Sequence, residues 1–278
     1  MPHATPETRA ALKKEFGLDK SRGEQYVLYL KQLAHGNLGI SFANQQPVSS
    51  NLTTALKNTI PMVLLGTLFA IILGTLTGVT SAWRRGTSTE GMTLGTALTL
   101  YAMPTHWLGL MLVILFAGTL PTGGMSDEFL INPSFAEHVQ DLARHILLPS
   151  LTLGLVLFGE YTLIVRSAML ETLGEDYILT SRAKGLSNWS TVWKHGLRNA
   201  MLPIITLVAL SLGFIIGGAI TVEYVFSYPG IGLLIVEAID QRDYPVLQAA
   251  FLLLTLSVIV FNLLADLLYF RLDPRVQE

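Results

Sequence analysis

The stretch ETLGEDYILTSRAKGLSNWSTVWKHGLRNAMLP, residues 171–203, decides how the rest of the chain is interpreted. It is a basic loop between two long apolar runs, and its sequence predicts two short helices. Asp176 can cap the first helix, Gly185 can end it in the left-handed conformation, and Ser187 can cap a second helix that runs towards Gly196. Because neither helix is long enough to be stable alone, we expect the loop to dock on another surface.

The second of these helices is predicted to be amphipathic. Its large apolar side chains recur at three- and four-residue spacing, which places them on one face: Trp189, Val192, Trp193 and Leu197. Positive charge surrounds that face: Arg182, Lys184, Lys194, His195 and Arg198. Cytoplasmic loops of membrane proteins are generally basic, so composition alone gives this loop no specific role. The order of its residues is more informative.

That order resembles a known family. RAKGL at residues 182–186 is followed by HGLRNA at 195–200 and by Leu-Pro at 202–203. The pattern is similar to the cytoplasmic coupling loop of ATP-binding cassette (ABC) importer permeases, in the dipeptide, oligopeptide and nickel branch. The general family pattern has Glu-Ala-Ala before the glycine, where this chain has Leu-Thr-Ser at 179–181. The Ala-Lys-Gly and Leu-Arg-Asn sequences resemble the peptide branch instead.

The resemblance implies that this loop contacts an ATPase subunit. The residues it assigns to that contact are Asp176, Arg182, Ala183, Lys184, Gly185, Leu186, His195, Leu197, Arg198 and Asn199.

Composition independently indicates a membrane protein. Hydrophobic residues make up 51% of the 278-residue chain, charged residues 14%, and the mean hydropathy is +0.50. These values are too apolar for an ordinary soluble domain. The net charge of −2 gives no reason to expect nucleic acid, and the absence of cysteine excludes disulfides and thiolate chemistry.

Five apolar runs are each near or above the roughly 20 residues that a helix needs to cross a bilayer. They predict spans at about 58–82, 92–118, 146–170, 201–225 and 246–270. We therefore predict an all-α polytopic protein of the cell inner membrane, and the resemblance implies the type I ABC importer permease fold. The predicted organisation is an extracytoplasmic amphipathic segment at 1–57, a permease domain at 58–270 with its cytoplasmic coupling loop at 171–200, and a cytoplasmic tail at 271–278.

The N-terminal segment contains two predicted amphipathic helices, at 7–16 and 24–34. The sequences GLDK at 17–20 and GNLGISF at 36–42 also resemble the peptide branch, where this segment follows a first membrane helix. Because the family has six spans and this sequence shows five, we expect that the reading frame extends upstream.

Orientation follows from placing the coupling loop in the cytoplasm. The basic residues near helix ends then lie on the same side: Arg84, Arg85, Arg271 and Arg275. This distribution obeys the positive-inside rule. The acidic loops at 119–145 and 226–245 are then outside.

Ionisable residues within the apolar runs are candidates for a translocation path, because charge at that depth is costly without water or a partner. These candidates are Glu223, His106 and Glu160. For Glu223, a path position and an interfacial position already in water are both open. His106 follows Pro104, which should kink its span, and packing alone also explains it. Glu160 and Arg166 are six residues apart, so each should pair with another helix or reach the interface.

We expect a permease subunit that imports di- or oligopeptides and is not itself an enzyme. The chain has no phosphate-binding loop, HExxH or GxSxG motif and no nucleophile–base set. The resemblance implies a second permease, two ABC ATPase subunits that hold ATP and Mg²⁺, and an extracytoplasmic solute-binding protein, with no cofactor on this chain. Two alternatives remain open: nickel or another small solute, and a membrane-embedded enzyme or channel whose site includes Glu160, Arg166 and Glu223.

Overall fold

The computed structural model describes residues 20–127, 129–130, 132–201, 204–205, 208 and 219–272. Within these ranges the regular secondary structure is helical, apart from one isolated bridge between Ile40 and Pro47, which confirms the all-α prediction. The elements are α1 (Arg22–Ala34), α2 (Val48–Trp83), α3 (Ser88–Ala102), α4 (Thr105–Phe116), α5 (Phe135–Leu173), α6 (Asp176–Ala183), a π-helical turn (Ser190–Gly196), α7 (Ile220–Val225), α8 (Ile231–Asp240) and α9 (Tyr244–Leu272).

Three of the described helices, α2, α5 and α9, are long and apolar enough to cross a membrane. They contain the predicted spans at 58–82, 146–170 and 246–270, although α2 begins ten residues earlier than its predicted span. The span predicted at 201–225 lies largely outside the described residues, and its last turn is α7.

The span predicted at 92–118 is divided into α3 and α4, which meet at an angle of 104°. The division falls at Met103 and Pro104, and Met103 has an extended backbone with ψ of 129°. A proline lacks the amide hydrogen that a continuing helix needs, and it disfavours the helical conformation in the residue before it. The predicted kink at Pro104 is therefore confirmed as a full break. If α3 and α4 together form one span, the described residues contain four spans in total.

Helix α1 is a short element that begins two residues before the predicted helix at 24–34. Ser21 and Glu24 form a reciprocal cap, in which the Ser21 Oγ accepts from the Glu24 N–H at 3.4 Å and Glu24 Oε2 accepts from the Ser21 N–H at 3.0 Å. This capping box fixes the start of the helix. No residue of α1 is buried, and the helix predicted at 7–16 lies outside the described residues.

The packing of α2 against α5 is the most extensive contact between two helices. A Cβ atom built on Gly74 would lie 2.5 Å from the Tyr161 Cβ, and one on Gly78 would lie 2.7 Å from the Val165 Cβ. Only glycine allows the two backbones to approach this closely. Beside Gly74, the hydroxyls of Thr77 and Thr162 are 2.9 Å apart, and they add a polar contact between the helices.

Three buried clusters are distributed along α2. The outermost joins the start of α2 to α8 and α9, and includes Val48, Ile235 and Ala250. The second joins the middle of α2 to α4, α5 and α7, and the third joins its end to α5 and the helix that contains the π-helical turn. Consequently α2 contacts α8 and α9 at its start and the helix with the π-helical turn at its end.

The glycine contact gives the first testable prediction. Gly74→Ala should lower the stability of the protein by about 1–3 kcal/mol, because the added methyl group has no space and the helices must separate. The matched control is Gly91→Ala on α3, where an added Cβ meets no atom within 4 Å and the substitution should be neutral or slightly stabilising. The measurement is the thermal unfolding temperature in detergent. Equal unfolding temperatures for the two variants would contradict the proposed role of Gly74.

Candidate functional site

The candidate coupling segment, residues 171–200, starts with α6. This helix begins at Asp176 with Glu175 at its N-cap, and no side chain caps it. The prediction that Asp176 caps the helix is therefore wrong, although its charge still lies in the first turn, where a helix favours acidic residues. The helix ends as predicted at Gly185, which has a φ of +76° and donates its N–H to the Arg182 carbonyl at 2.9 Å.

The second helix runs through residues 188–201 and contains the π-helical turn. Ser187 caps it as predicted, because its Oγ accepts from the Ser190 N–H at 3.3 Å. The helix runs towards Gly196 as predicted and continues past it. Gly196 lies against α5, where an added Cβ would be 3.1 Å from the Met169 Cε, so the glycine allows close packing in mid-helix.

The predicted apolar stripe of the second helix divides between two environments. Val192 is buried, whereas Trp189 is 71% exposed. The rings of Trp189 and Trp193 are in contact, with their centroids 5.1 Å apart and their planes tilted by 34°. A π-helical turn holds an extra residue, so residues on either side of it no longer share the face that 3.6-residue spacing predicts. The exposed Trp189 therefore adds an apolar group to the outward surface.

The remaining residues of the segment separate into a buried and an exposed face. Ile178, Val192 and Ala200 are almost completely buried. The residues assigned to ATPase contact lie mainly on the other face: Asp176, Arg182, Ala183, Lys184, Gly185, Leu186, Arg198 and Asn199 are exposed, and His195 and Leu197 are half-buried. The exposed face of the segment therefore combines basic and apolar side chains.

Trp83, at the end of α2, contacts the first helix of the coupling segment. The guanidinium carbon of Arg182 lies 5.4 Å from the centroid of the Trp83 ring, within the range of a cation–π interaction. Nearby, Val79 and Val165 pack with Val192 in the buried cluster that joins α2, α5 and the second helix. The coupling segment is therefore attached to both long helices.

Arg166 of α5 forms an ion pair with Glu90 of α3. Its Nε donates to Glu90 Oε1 at 3.0 Å, and its Nη2 contacts the same oxygen. The other Glu90 oxygen accepts from the Gly86 N–H at 2.6 Å. The prediction that Arg166 pairs with a helix other than its own is confirmed, and the pair joins α5 to the start of α3.

Glu223 is a buried carboxylate with an exposed fraction of 0%. Its Oε1 accepts from the Thr59 hydroxyl at 2.6 Å, and its Oε2 accepts from the N–H groups of Gly232 at 2.6 Å and Leu233 at 3.2 Å. Both amides belong to the first turn of α8, where N–H groups have no partner within the helix. Glu223 therefore caps α8 from α7. The interfacial alternative, a carboxylate already in water, is wrong, and a place in a translocation path stays a prediction.

The turn that joins α7 to α8 is shaped around Glu223. A Cβ on Gly230 would lie 2.3 Å from the Glu223 carboxyl carbon, so no other residue fits at that position without displacement. The hydroxyl of Tyr228 donates to the Asn58 carbonyl of α2 at 3.2 Å. Burial raises the pKa of Tyr228 to about 12, and the neighbouring Glu223 carboxylate contributes to the increase. The hydroxyl therefore remains a protonated donor at neutral pH.

The other two path candidates have no such partners. His106 is exposed in the first turn of α4, and Glu160 is half-buried on α5. Within the described ranges, neither side chain makes a hydrogen bond or an ion pair, and no group of three or more His, Cys, Asp or Glu residues could hold a metal ion. Their assignment to a path stays a prediction.

Two residues that the sequence analysis missed connect separate elements of the structure. Thr59 donates to Glu223 and also accepts from the Ile231 N–H at 2.9 Å. Asp243 accepts from the Ser41 hydroxyl at 2.5 Å and from the Ala43 N–H at 3.2 Å. Asp243 immediately precedes α9, a position typical of a helix cap, and could have been recognised. No spacing in the sequence distinguishes Thr59.

The Glu223 contacts give a prediction about stability. Glu223→Gln should destabilise the protein by about 1–3 kcal/mol, because one acceptor oxygen becomes a donor that faces donors in a buried site. Glu237→Gln is the matched control, since that exposed carboxylate on α8 makes no hydrogen bond in the described part of the chain. Thermal unfolding of both purified variants measures the difference. An unchanged unfolding temperature for Glu223→Gln would show that the cap does not stabilise α8.

Comparison with known proteins places these features in a family. Residues 66–278 match the family described as binding-protein-dependent transport system inner membrane component. The dipeptide transport system permease protein DppB of Escherichia coli (strain K12) is 37% identical over 293 residues, which cover 99% of this chain and 86% of that protein. The glutathione transport system permease protein GsiC of Salmonella typhi is 37% identical over 281 residues, with the same coverage of 99% and 86%.

Solved structures share the fold. An inward-facing structure of the MetNI methionine ABC transporter matches with a TM-score of 0.63 at 18% identity, and covers 80% of this chain and 96% of that one. An amino acid ABC transporter solved with histidines matches with a TM-score of 0.61 at 10% identity, and covers 81% and 95%. The predicted type I permease fold is thereby confirmed, and the chain belongs to the family of binding-protein-dependent transport system inner membrane components.

Proposed function

We propose that this chain is a permease subunit of an ATP-driven importer of di- or oligopeptides. It forms the translocation path with a second, similar permease, and it receives substrate from an extracytoplasmic solute-binding protein. Two cytoplasmic ATPase subunits bind ATP and Mg²⁺ and contact the coupling segment. The peptide substrate is supported by the names of its relatives, which are dipeptide, di/tripeptide and glutathione permeases.

The observation that carries this proposal is the two-sided coupling segment. Its exposed face carries basic residues together with Leu186 and Trp189, which are 39% and 71% exposed. Its buried face joins the ends of α2 and α5. A surface of this kind can receive movement from a partner and pass it to the membrane helices as rigid bodies. The two helices and their caps hold the exposed residues in a fixed arrangement.

Charge in the membrane region has a more limited role in this proposal. Arg166 of α5 and Glu90 of α3 form an ion pair, and the Glu223 carboxylate accepts hydrogen bonds from the first turn of α8. Among the sequence candidates, Glu160 and His106 are the ones with no bound partner in the described ranges. We therefore propose these two as the groups that remain available to line the path.

The first prediction from this function concerns topology. Tags placed after Arg85 and at the C-terminus should be cytoplasmic, whereas a tag near Ser126 should be extracytoplasmic. The physical reason is the retention of Lys and Arg on the cytoplasmic side. Protease protection or reporter fusions in cells measure the location of each tag. A cytoplasmic tag at Ser126 would contradict the topology and the position of the coupling segment.

The second prediction concerns coupling. Gly185→Val should reduce copurification of the ATPase subunits and peptide uptake. A branched residue in the left-handed conformation of Gly185 is destabilised by about 1–2 kcal/mol. The backbone of the variant should change conformation to avoid this strain, and that change reorients the second helix. An added Cβ at Gly185 meets no atom within 4 Å, so the effect does not arise from a clash. The membrane helices should still insert and pack, because the substitution changes none of their contacts.

Gly118→Val is the matched control for Gly185→Val. Gly118 has a φ of +83° and open space around its Cβ position, so it carries the same backbone strain on the opposite side of the membrane. This control should retain ATPase copurification. Lys184→Glu tests the charge separately: it should weaken ATPase association at low salt and less so at high salt, if the partner surface is acidic. Normal attachment and uptake in Gly185→Val would end the claim for this segment.

A further inference from the structure

A polar groove lies between the loop at residues 41–46, the first turns of α2, and α8. It consists of two adjoining cavities of about 290 Å³ and 240 Å³. The cavities share part of their walls, formed by Asn44, Asn51, Leu234 and Glu237. On the proposed topology the groove is extracytoplasmic, on the side from which a substrate arrives.

Carboxamide side chains form one wall of the groove. Asn51 and Asn58 are seven residues apart on α2, which places them on one face, two turns from each other. Asn44 lies opposite, and its side chain exchanges two hydrogen bonds with Asn51, at 3.2 and 3.3 Å. Each carboxamide has two N–H donors and two acceptor lone pairs. Asn44 Oδ1 also accepts from the Gln46 N–H at 3.1 Å, so the acceptor capacity that remains for a further partner belongs to Asn51 and Asn58, and all three side chains keep an N–H donor.

Two acidic side chains, Glu237 of α8 and Asp243, are among the residues that line the two cavities. The Asp243 carboxylate already accepts a hydrogen bond from the Ser41 hydroxyl. The Glu237 side chain is exposed. In the described part of the chain, its carboxylate has no hydrogen bond and no ion pair. A carboxylate without a partner, beside several carboxamides, favours a ligand that combines a positive charge with amide groups.

The walls of the groove are held in place before any ligand binds. Asp243, which is 2% exposed, accepts hydrogen bonds from Ser41 and Ala43 of the loop. The bridge between Ile40 and Pro47 closes the base of that loop. On the other side, Asn58 donates to the Pro229 carbonyl at 2.8 Å and attaches α2 to the start of α8. A site that is already formed loses less entropy when it binds.

We propose that this groove binds the amino-terminal end of a short peptide, with Glu237 pairing with its α-ammonium group and the carboxamides hydrogen-bonding its backbone. This inference rests on the proposed peptide function. Asn51 and Asn58 are separated by about 10 Å along α2, which is the length of about three extended residues. Backbone amides are common to all peptides, so recognition by carboxamides is independent of the peptide's side chains.

The experiment uses the assembled transporter in nanodiscs, without the binding protein. Ser50 is exposed and lines the groove, and the chain has no cysteine. Ser50→Cys therefore gives this chain a single position for an environment-sensitive fluorophore, in a complex whose partner subunits have had their cysteines replaced. The probes are Gly-Leu, N-acetyl-Gly-Leu and free leucine, and the readout is saturable change in fluorescence. Uptake of Gly-Leu with the binding protein present is measured in parallel.

Gly-Leu should bind about tenfold more tightly than N-acetyl-Gly-Leu, because acetylation removes the charge that pairs with Glu237. Glu237→Gln should weaken Gly-Leu binding about tenfold and abolish this preference. Asn51→Leu should weaken Gly-Leu more than free leucine, which has no peptide bond. Asp240→Asn is the matched control: it removes an exposed charge of α8 outside the groove, and binding should be unchanged.

The outcomes separate this inference from the proposed function. If the transporter imports Gly-Leu but shows no saturable binding, or if Asp240→Asn weakens binding as much as Glu237→Gln, the groove is not the site. Failure of the fluorophore to react in the assembled complex would also overturn the inference, because the groove would then be covered by a partner subunit. If the transporter imports no peptide of any length, the proposed function itself fails.

Discussion

The close approach of α2 to α5 is the constraint on which the rest of the structure depends. At Gly74 and Gly78 the two backbones leave no room for a Cβ atom. Lipid offers no hydrophobic force that would drive two apolar helices together, so close van der Waals contact and interhelical hydrogen bonds must do so. The contact between Thr77 and Thr162 at 2.9 Å supplies one such bond. With this pair fixed, the ends of α2 determine where the neighbouring elements can lie.

Charged side chains contact α2 and α5 towards the two ends of this pair. At the end near the candidate coupling segment, Trp83 contacts Arg182, and Arg166 contacts Glu90. Towards the other end, Thr59 contacts Glu223. Isolated charges in hydrocarbon are costly, and pairing or capping removes most of that cost. The structure therefore uses its buried charges to connect helices, which leaves few of them available to interact with a substrate.

Much of this arrangement was predictable from the sequence, because it depends on local patterns. Apolar length located α2, α5 and α9, and residue order located the coupling segment. Gly185 and Ser187 behave as their positions predicted, since helix ends are determined by adjacent residues. Ser21 caps α1 by the same local rule, because Glu24 stands three residues after it.

The failures have a different origin, because they depend on partners distant in sequence. The interfacial alternative for Glu223 is wrong because this carboxylate is buried and its donors include Thr59, which is 164 residues away. A glycine such as Gly196 is typical of a helix end, but in the structure it lies in mid-helix and packs against Met169 of α5. A π-helical turn begins directly after Trp189, and Trp189 is exposed while Val192 is buried. Periodicity cannot reveal these features, because nothing in the local sequence specifies the opposing surface.

The connection between the two ends of α2 determines how movement can cross the membrane. Sliding α2 along α5 would break the contact between Thr77 and Thr162 and the bond from the Ser150 hydroxyl to the Met62 carbonyl, so these helices move as one body. The break at Met103 and Pro104 has no continuous helical bonding, and α3 with α4 can change angle there at lower cost. Helix α2 has 36 residues, or about 54 Å of length. On the proposed function, displacement of the end of α2 at the coupling segment would reach Thr59. It would then reach α8, because Thr59 and Glu223 supply side-chain hydrogen bonds to its first turn.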